Sequence, residues 1–424
     1  MSQSIKMYPK YSSGDLIHSV GEIAIWHLYG VGIVFFTTFW NLVSLNSDKD
    51  EIGLDVQVYL KLLCVGLAGL YGVIGFLTDK KIRDAAFSFP LAWILVIFVL
   101  YSIASIFSSM PAPAVASSFS ILCIYLMTVT AAMELGKDLL VKTIFYGFGA
   151  FIFGSWLVYL LIPSIGIMEE PILGGDVAVR MSGLAHPNTL GQHAAFCFIF
   201  GVGLWGSYRH RNWVVVLLVA LAISALVFSL SRAAMLGTIA AMLIGFRNRI
   251  MGPNWKFRLM ILTAVSVFGL LLLSTQIHLP TALEKQMGAV AKSGDSDEIT
   301  TATGRSEIWK KSIVLIKLRP VLGYGPTTSK NLLEDYSMYT HNLFLNIALN
   351  CGLFGLLIGI IMCLSRVGTM FSKECFLADA VVAFVLINGI FENVIFANLC
   401  GAPTICWVLG LGWYQLGKNE VGDN

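Results

Sequence analysis

Long apolar segments recur along almost the whole chain, and they restrict its possible folds more than any other feature. A membrane-spanning helix needs roughly 20 mostly apolar residues, and twelve segments are candidates, of which the seventh and eighth are short and meet at a tight turn. We therefore expect an all-α polytopic membrane protein that forms a single membrane domain over residues 1–424. The candidate spans lie near residues 21–44, 58–78, 86–107, 117–134, 139–162, 189–207, 213–230, 233–246, 258–275, 341–365, 376–397 and 401–417.

The composition agrees with a membrane protein. Of the 424 residues, 57% are hydrophobic and only 12% are charged, and a soluble surface of this size needs more charge. The eight cysteines include no CxxC pair, so neither a zinc site nor a disulfide framework is indicated. The polar first 18 residues and the long apolar run behind them argue against a cleavable signal peptide.

The distribution of basic residues predicts the orientation. With the N-terminus in the cytoplasm, the basic stretches Lys80–Arg83, Arg209–Arg211 and Arg247–Arg258 all fall on the cytoplasmic side, as the positive-inside rule requires. Acidic Asp48–Glu51 falls on the outer side. An even number of spans returns the C-terminus to the cytoplasm.

Two outer connections, 163–188 and 276–340, are longer than a turn requires, and long loops are usually functional. Within the larger one, residues 303–320 mix apolar and basic side chains. This pattern predicts an amphipathic helix that lies on the membrane or on the bundle and ends at Pro320.

Three arginines lie on the outer face, where the positive-inside rule predicts few: Arg180, Arg232 and Arg305. Arg232 follows the break between two short spans, and a charge at the membrane interface is costly and usually functional. A single arginine there could simply extend to lipid headgroups. Three on one face favour an anionic ligand, because the guanidinium fork suits phosphate oxygens.

His341 and Asn342 lie where the large loop re-enters the membrane as a helix. A helix N-terminus favours the neutral form of histidine, and neutral imidazole can take a proton from a hydroxyl. The alternative is an interfacial histidine without a chemical role. Taken with the arginines, His341 is a candidate general base, and Thr340 or Asn342 is expected to cap the helix.

Two further segments contain weaker candidates. His186 and Asn188 flank Pro187 at the start of the sixth span, and proline there favours a structural or substrate-positioning role. Tyr324 lies between two glycines that we expect to form a turn lining the cavity. This glycine-rich stretch lacks the GxxxxGK[ST] spacing of a nucleotide-binding loop.

Together these motifs resemble the O-antigen ligase/polymerase superfamily over roughly residues 170–365. The resemblance implies a metal-independent, inverting glycosyltransferase of the membrane-embedded GT-C architecture, without a cofactor, whose donor is a glycan on undecaprenyl diphosphate. The motifs are Arg180–Gly191, Ser229–Arg232, Thr303–Trp309, Pro320–Gly325 and His341–Leu345.

The resemblance also implies roles for residues and partners. Arg232, Arg305 and His341 would be catalytic at the periplasmic face of the bacterial inner membrane. The expected partners are the lipid-linked glycan, a lipid A–core or glycan acceptor and membrane lipids, with no nucleic acid. Residues expected to bind substrate are Arg180, His186, Asn188, Asn342 and Tyr324.

The acceptor distinguishes the enzymatic alternatives. A ligase passes the glycan to lipid A–core, a polymerase passes it to another lipid-linked repeat, and a related class glycosylates proteins. We favour the ligase because the single loop histidine and the arginines match it best. A transporter of lipid-linked glycans and a sensor or scaffold of envelope assembly are the alternatives from other classes.

Overall fold

The computed structural model describes residues 16–40, 56–171, 177–207, 213–251, 305–334, 339–372, 375–396 and 399–416. The predicted span near 258–275 and the first part of the large loop, up to residue 304, lie outside the described residues.

Helices make up most of the described chain, and each of the eleven predicted spans within it coincides with a helix. Four helices are long and apolar enough to cross a membrane: Val58–Thr78, Pro111–Glu134, Lys137–Leu161 and Leu343–Met370. In chain order the helices are α1 Leu16–Trp40, α2 Val56–Thr78, α3 Lys80–Ala86, α4 Ala92–Ser105, α5 Pro111–Glu134, α6 Lys137–Leu161, α7 Pro163–Gly166, α8 Pro187–Ser207, α9 Trp213–Phe228, α10 Arg232–Gly245, α11 Arg247–Met251, α12 Arg305–Leu318, α13 Ser329–Leu332, α14 Leu343–Ser372, α15 Phe376–Gly389 and α16 Ala402–Gly412.

The predicted loop 163–188 contains a β-hairpin, so the described chain is not entirely helical. Strand β1, Ile167–Pro171, pairs antiparallel with β2, Val177–Met181. The alternating side chains of the second strand fit this arrangement, because successive residues of a strand point to opposite faces. Val179 is exposed, whereas its neighbours Ala178 and Arg180 are buried.

Two helices, α8 and α15, lie antiparallel in the centre of the bundle. Phe196 of α8 packs against Phe384 of α15 with ring centroids 4.7 Å apart, and both side chains are fully buried. A helix that is apolar and buried on all sides is enclosed by protein. Helix α8 begins, and α15 ends, at the end of the bundle where the α9–α10 turn lies; we call this the site end.

The opposite end of the bundle is held together by a buried ionic cluster. Asp379, in the first turn of α15, accepts hydrogen bonds from Arg366 at 2.5 Å and from Arg247 at 2.8 Å. The predicted span near 341–365 ends before Arg366, but α14 continues to Ser372 and buries this arginine. Arg366 can be buried because the carboxylate of Asp379 pairs with its guanidinium.

Candidate functional site

The first part of the site is an ion pair across the hairpin. Arg180 and Glu170 lie on the same face of the two strands as diagonal neighbours, since Arg180 is opposite Met168. The Nη1 atom of Arg180 donates to both carboxylate oxygens of Glu170, at 3.0 and 2.9 Å. The hairpin therefore fixes the position of the arginine.

Arg180 also fixes the turn between α9 and α10. Its Nε donates to the Ser229 carbonyl at 2.9 Å, and Leu230 in this turn has a φ of 51°, a left-handed conformation that is costly for a bulky residue. Gly191 of α8 permits the close approach, because a Cβ there would lie 2.6 Å from that of Ser231. Helix α10 then begins with Arg232, immediately beside the turn that Arg180 holds.

Asn188 connects this arginine to a second carboxylate. Its Oδ1 accepts from Arg180 Nη2 at 2.7 Å, and its Nδ2 donates to Glu392 Oε1 at 2.8 Å. Nearby, His186 Nε2 lies 3.6 Å from Glu170. Burial and the charge of Arg180 lower the pKa of His186, so this imidazole is neutral near pH 7.

Glu392 also binds two further predicted site residues. Arg305, the first residue of α12, donates from Nη2 to Oε1 at 2.5 Å. His341 Nδ1 lies 3.1 Å from the other oxygen, Oε2. The Glu392 cluster, which we define as Glu392 with Arg305, His341 and Asn188, thus joins side chains from four segments far apart in sequence.

The segment that carries His341 is hydrogen-bonded to the connection after α15. Thr340 Oγ1 hydrogen-bonds Asn393 Oδ1 at 3.3 Å, and Asn342 Nδ2 donates to the Ile390 carbonyl at 2.9 Å. Asn342 also caps α14, since its Oδ1 accepts from the Leu345 N–H at 2.9 Å. His341 has a φ of 47°, and such strain is typical of functional sites.

Electrostatics favour the charged form of Glu392, which lies in the connection after α15 and is only 6% exposed. Burial by itself would raise the pKa of this carboxyl. The hydrogen bond from His341 and the guanidinium of Arg305 outweigh burial, so the pKa of Glu392 lies below its usual range. A negative Glu392 favours the imidazole tautomer that carries its hydrogen on Nδ1 and its lone pair on Nε2.

Helix α14 is broken at Gly352, whose φ is 69°, and the glycine-rich segment 320–325 fills the break. The freed carbonyls of Leu349 and Asn350 accept from the N–H groups of Tyr324 and Gly325, at 2.8 and 3.0 Å. In return, the Leu353 N–H donates to the Pro320 carbonyl at 2.7 Å. The predicted turn is therefore a structural clamp of the helix that carries His341 at its entrance.

The same clamp determines the position of Tyr324. Its ring lies under Arg319, with the guanidinium 4.8 Å from the centroid, and packs against the core between α12 and α14. The backbone and ring contacts of Tyr324 therefore belong to the clamp. That Tyr324 binds substrate stays a prediction.

Alanine at position 352 is expected to destabilise the protein. The backbone conformation there is nearly restricted to glycine, and a Cβ would collide with the Val321 carbonyl, so we expect a loss of about 1–3 kcal/mol. Thermal unfolding in detergent, followed by tryptophan fluorescence, measures the change. Gly368→Ala is the matched control in the same helix, because a Cβ there meets nothing within 4 Å. Equal midpoints for the two variants would contradict the role of the break.

The structure brings together many of the predicted residues and adds two that sequence reasoning missed. Arg180, Asn188, Arg305 and His341 are connected through hydrogen bonds, but Glu170 and Glu392 hold that network together. Glu392 had a signal: it is an acidic residue in an apolar segment, and such residues are usually functional. No sequence signal pointed to Glu170, because its contact with Arg180 arises only when the two strands of the hairpin pair.

Among the described residues, no group of three or more histidine, cysteine, aspartate or glutamate side chains could hold a metal ion. Arg180 and Arg305 bring guanidinium groups to the site end, and guanidinium groups suit phosphate and carboxylate oxygens.

The fold and the site define a helical membrane protein with an arginine- and histidine-containing site at one end. Residues 217–360 match the family model described as O-antigen ligase. This segment runs from α9 into α14 and contains Arg232, Arg305 and His341. The match confirms the resemblance to the O-antigen ligase superfamily that the motifs indicated. A search of curated proteins found no match.

Proposed function

We propose that this protein is a glycosyltransferase that moves a glycan from undecaprenyl diphosphate to an acceptor hydroxyl at the periplasmic face of the bacterial inner membrane. The observation that carries this proposal is the Glu392 cluster, where a guanidinium and an imidazole share one buried carboxylate. The guanidinium of Arg305 suits a diphosphate leaving group. The imidazole of His341 suits the activation of a hydroxyl.

The arginines have different tasks in this mechanism. Arg180 uses Nε, Nη1 and Nη2 for protein partners, so it positions the turn before Arg232. Within the described residues, Arg305 donates only from Nη2, which leaves Nε and Nη1 for phosphate oxygens. Arg232 and Arg305 therefore hold the diphosphate and stabilise the negative charge that develops as it leaves.

His341 handles the proton. The acceptor oxygen attacks the anomeric carbon from the face opposite the diphosphate, and its proton passes to Nε2 of His341. The new carbon–oxygen bond forms as the bond to the phosphate oxygen breaks, so the anomeric configuration inverts. Undecaprenyl diphosphate leaves with the electron pair, and the proton passes from the imidazole to water.

The test uses purified protein in detergent with an undecaprenyl-diphosphate oligosaccharide, with and without lipid A–core. We expect transfer only when lipid A–core is present, as for a ligase. We also expect its loss in His341→Asn, since asparagine tolerates a positive φ but cannot act as the base. If a ladder of longer lipid-linked glycans forms without lipid A–core, the protein is a polymerase and not a ligase. Folded protein that forms no glycosidic bond in either mixture contradicts the proposal.

A further inference from the structure

Glu392 contacts both the group proposed to bind the donor and the group proposed to activate the acceptor. Its Oε1 accepts from Arg305 at 2.5 Å and from Asn188 at 2.8 Å, whereas its Oε2 faces His341 Nδ1 at 3.1 Å. The two oxygens of one carboxylate therefore have separate partners. A change of partner at one oxygen therefore alters the charge on the other, because both oxygens share a single negative charge.

The position of this carboxylate is tightly fixed. The backbone N–H of Glu392 donates to the Asn388 carbonyl at 2.9 Å, and the residue is 6% exposed. A carboxylate that is so little solvated depends on its partners for stability. His341 is equally constrained, since it directly precedes the cap residue Asn342. The remaining freedom of the imidazole is the rotation of its side chain, and the hydrogen bond to Oε2 fixes that rotation.

We propose that Glu392 is the positioning residue that holds His341 as a base and couples it to the donor site. This inference rests on the proposed function. By accepting from Nδ1–H, Glu392 selects the tautomer that carries its lone pair on Nε2, the atom proposed to take the proton of the acceptor hydroxyl. It touches neither glycan nor diphosphate and acts through His341.

Arg305 provides the coupling. Its guanidinium neutralises part of the charge of Glu392. A bound diphosphate competes for the same guanidinium, and Glu392 is then less neutralised. The imidazole N–H is attracted more strongly to the carboxylate, so Nε2 becomes a stronger base when the donor is in place.

Glu392→Gln tests the positioning role in the transfer assay. The amide oxygen can still accept from Arg305 and Asn188, but the amide nitrogen now faces Nδ1 and donates to it. The imidazole proton then resides on Nε2, and the base is lost. We expect kcat to fall about 100- to 10,000-fold, with the KM for the donor little changed. Glu307→Gln is the control, because this glutamate is exposed on α12 and the variant should keep the wild-type rate.

A double variant separates positioning from a general structural role. If Glu392 acts through His341, then Glu392→Gln in a His341→Asn background lowers the residual rate no further. Multiplied losses in the double variant would overturn the inference. So would a wild-type rate in folded Glu392→Gln.

A chemical readout keeps the inference testable if transfer itself is never observed. Diethyl pyrocarbonate acylates an imidazole nitrogen that carries a lone pair, and mass spectrometry of the peptide containing His341 gives the rate of modification. We expect a slower reaction at His341 in Glu392→Gln than in the wild type or in Glu307→Gln. Equal rates in folded proteins would refute the role of Glu392, whereas a slower rate without glycan transfer would refute only the proposed function.

Discussion

Replacing Arg305 with alanine is expected to lower the rate of glycan transfer about 100- to 1000-fold, the usual effect of removing one group that stabilises charge in a transition state. Arg305 begins α12 and points its Nη2 at Glu392. Its loss removes a cation from the proposed diphosphate site and leaves Glu392 with fewer partners. Initial rates at saturating donor measure the effect, and thermal unfolding shows whether the variant is folded.

Two companion variants show which property of Arg305 matters. Lys311→Ala removes a positive charge from the exposed face of the same helix, so it should keep the wild-type rate if the site and not the net charge of α12 is responsible. Arg305→Lys keeps the charge but loses the planar fork that binds two oxygens at once, and we expect an intermediate rate. If Arg305→Ala and Lys311→Ala behave alike, Arg305 has no part in catalysis.

The helices of this protein were predictable because their length and apolarity are local properties of the chain. The residues at which these helices end were less predictable. The sequence predicts a span near 376–397, but α15 ends at Gly389 because the following residues turn back toward His341. In the other direction, the predicted span 341–365 continues to Ser372, since Asp379 neutralises an arginine that would otherwise end an apolar segment.

The site was partly predictable for a similar reason. Arg180 and Arg305 attract attention because the predicted topology places them on the outer face, where the positive-inside rule predicts few arginines. His341 attracts attention because it precedes a predicted helix. Sequence alone could not show that one glutamate joins them, because that contact spans 51 residues from His341 and 87 from Arg305. Long-range pairing of this kind depends on how the helices are packed together, and not on local patterns.

Asparagine at position 379 is expected to destabilise the protein by about 3–5 kcal/mol, as is typical when one partner of a buried ion pair is removed. Asp379 is completely buried and lies between Arg366, which is 1% exposed, and Arg247. The amide is neutral and has one acceptor oxygen where the carboxylate has two. Two guanidinium groups are then left close together without a compensating charge.

The loss of stability in Asp379→Asn is expected to affect several helices at once. Arg366 also donates from Nε to the Gly410 carbonyl at 2.9 Å, so the cluster ties α14, α15 and α16 together with Arg247 after α10. Thermal unfolding in detergent measures the change in stability. Asp138→Asn is the control, because Asp138 likewise lies in a first helical turn but is exposed, and its charge there is worth about 0.3–1 kcal/mol. Similar unfolding midpoints for the two variants would mean that the two arginines find other partners, and that the cluster does not hold this end of the bundle together.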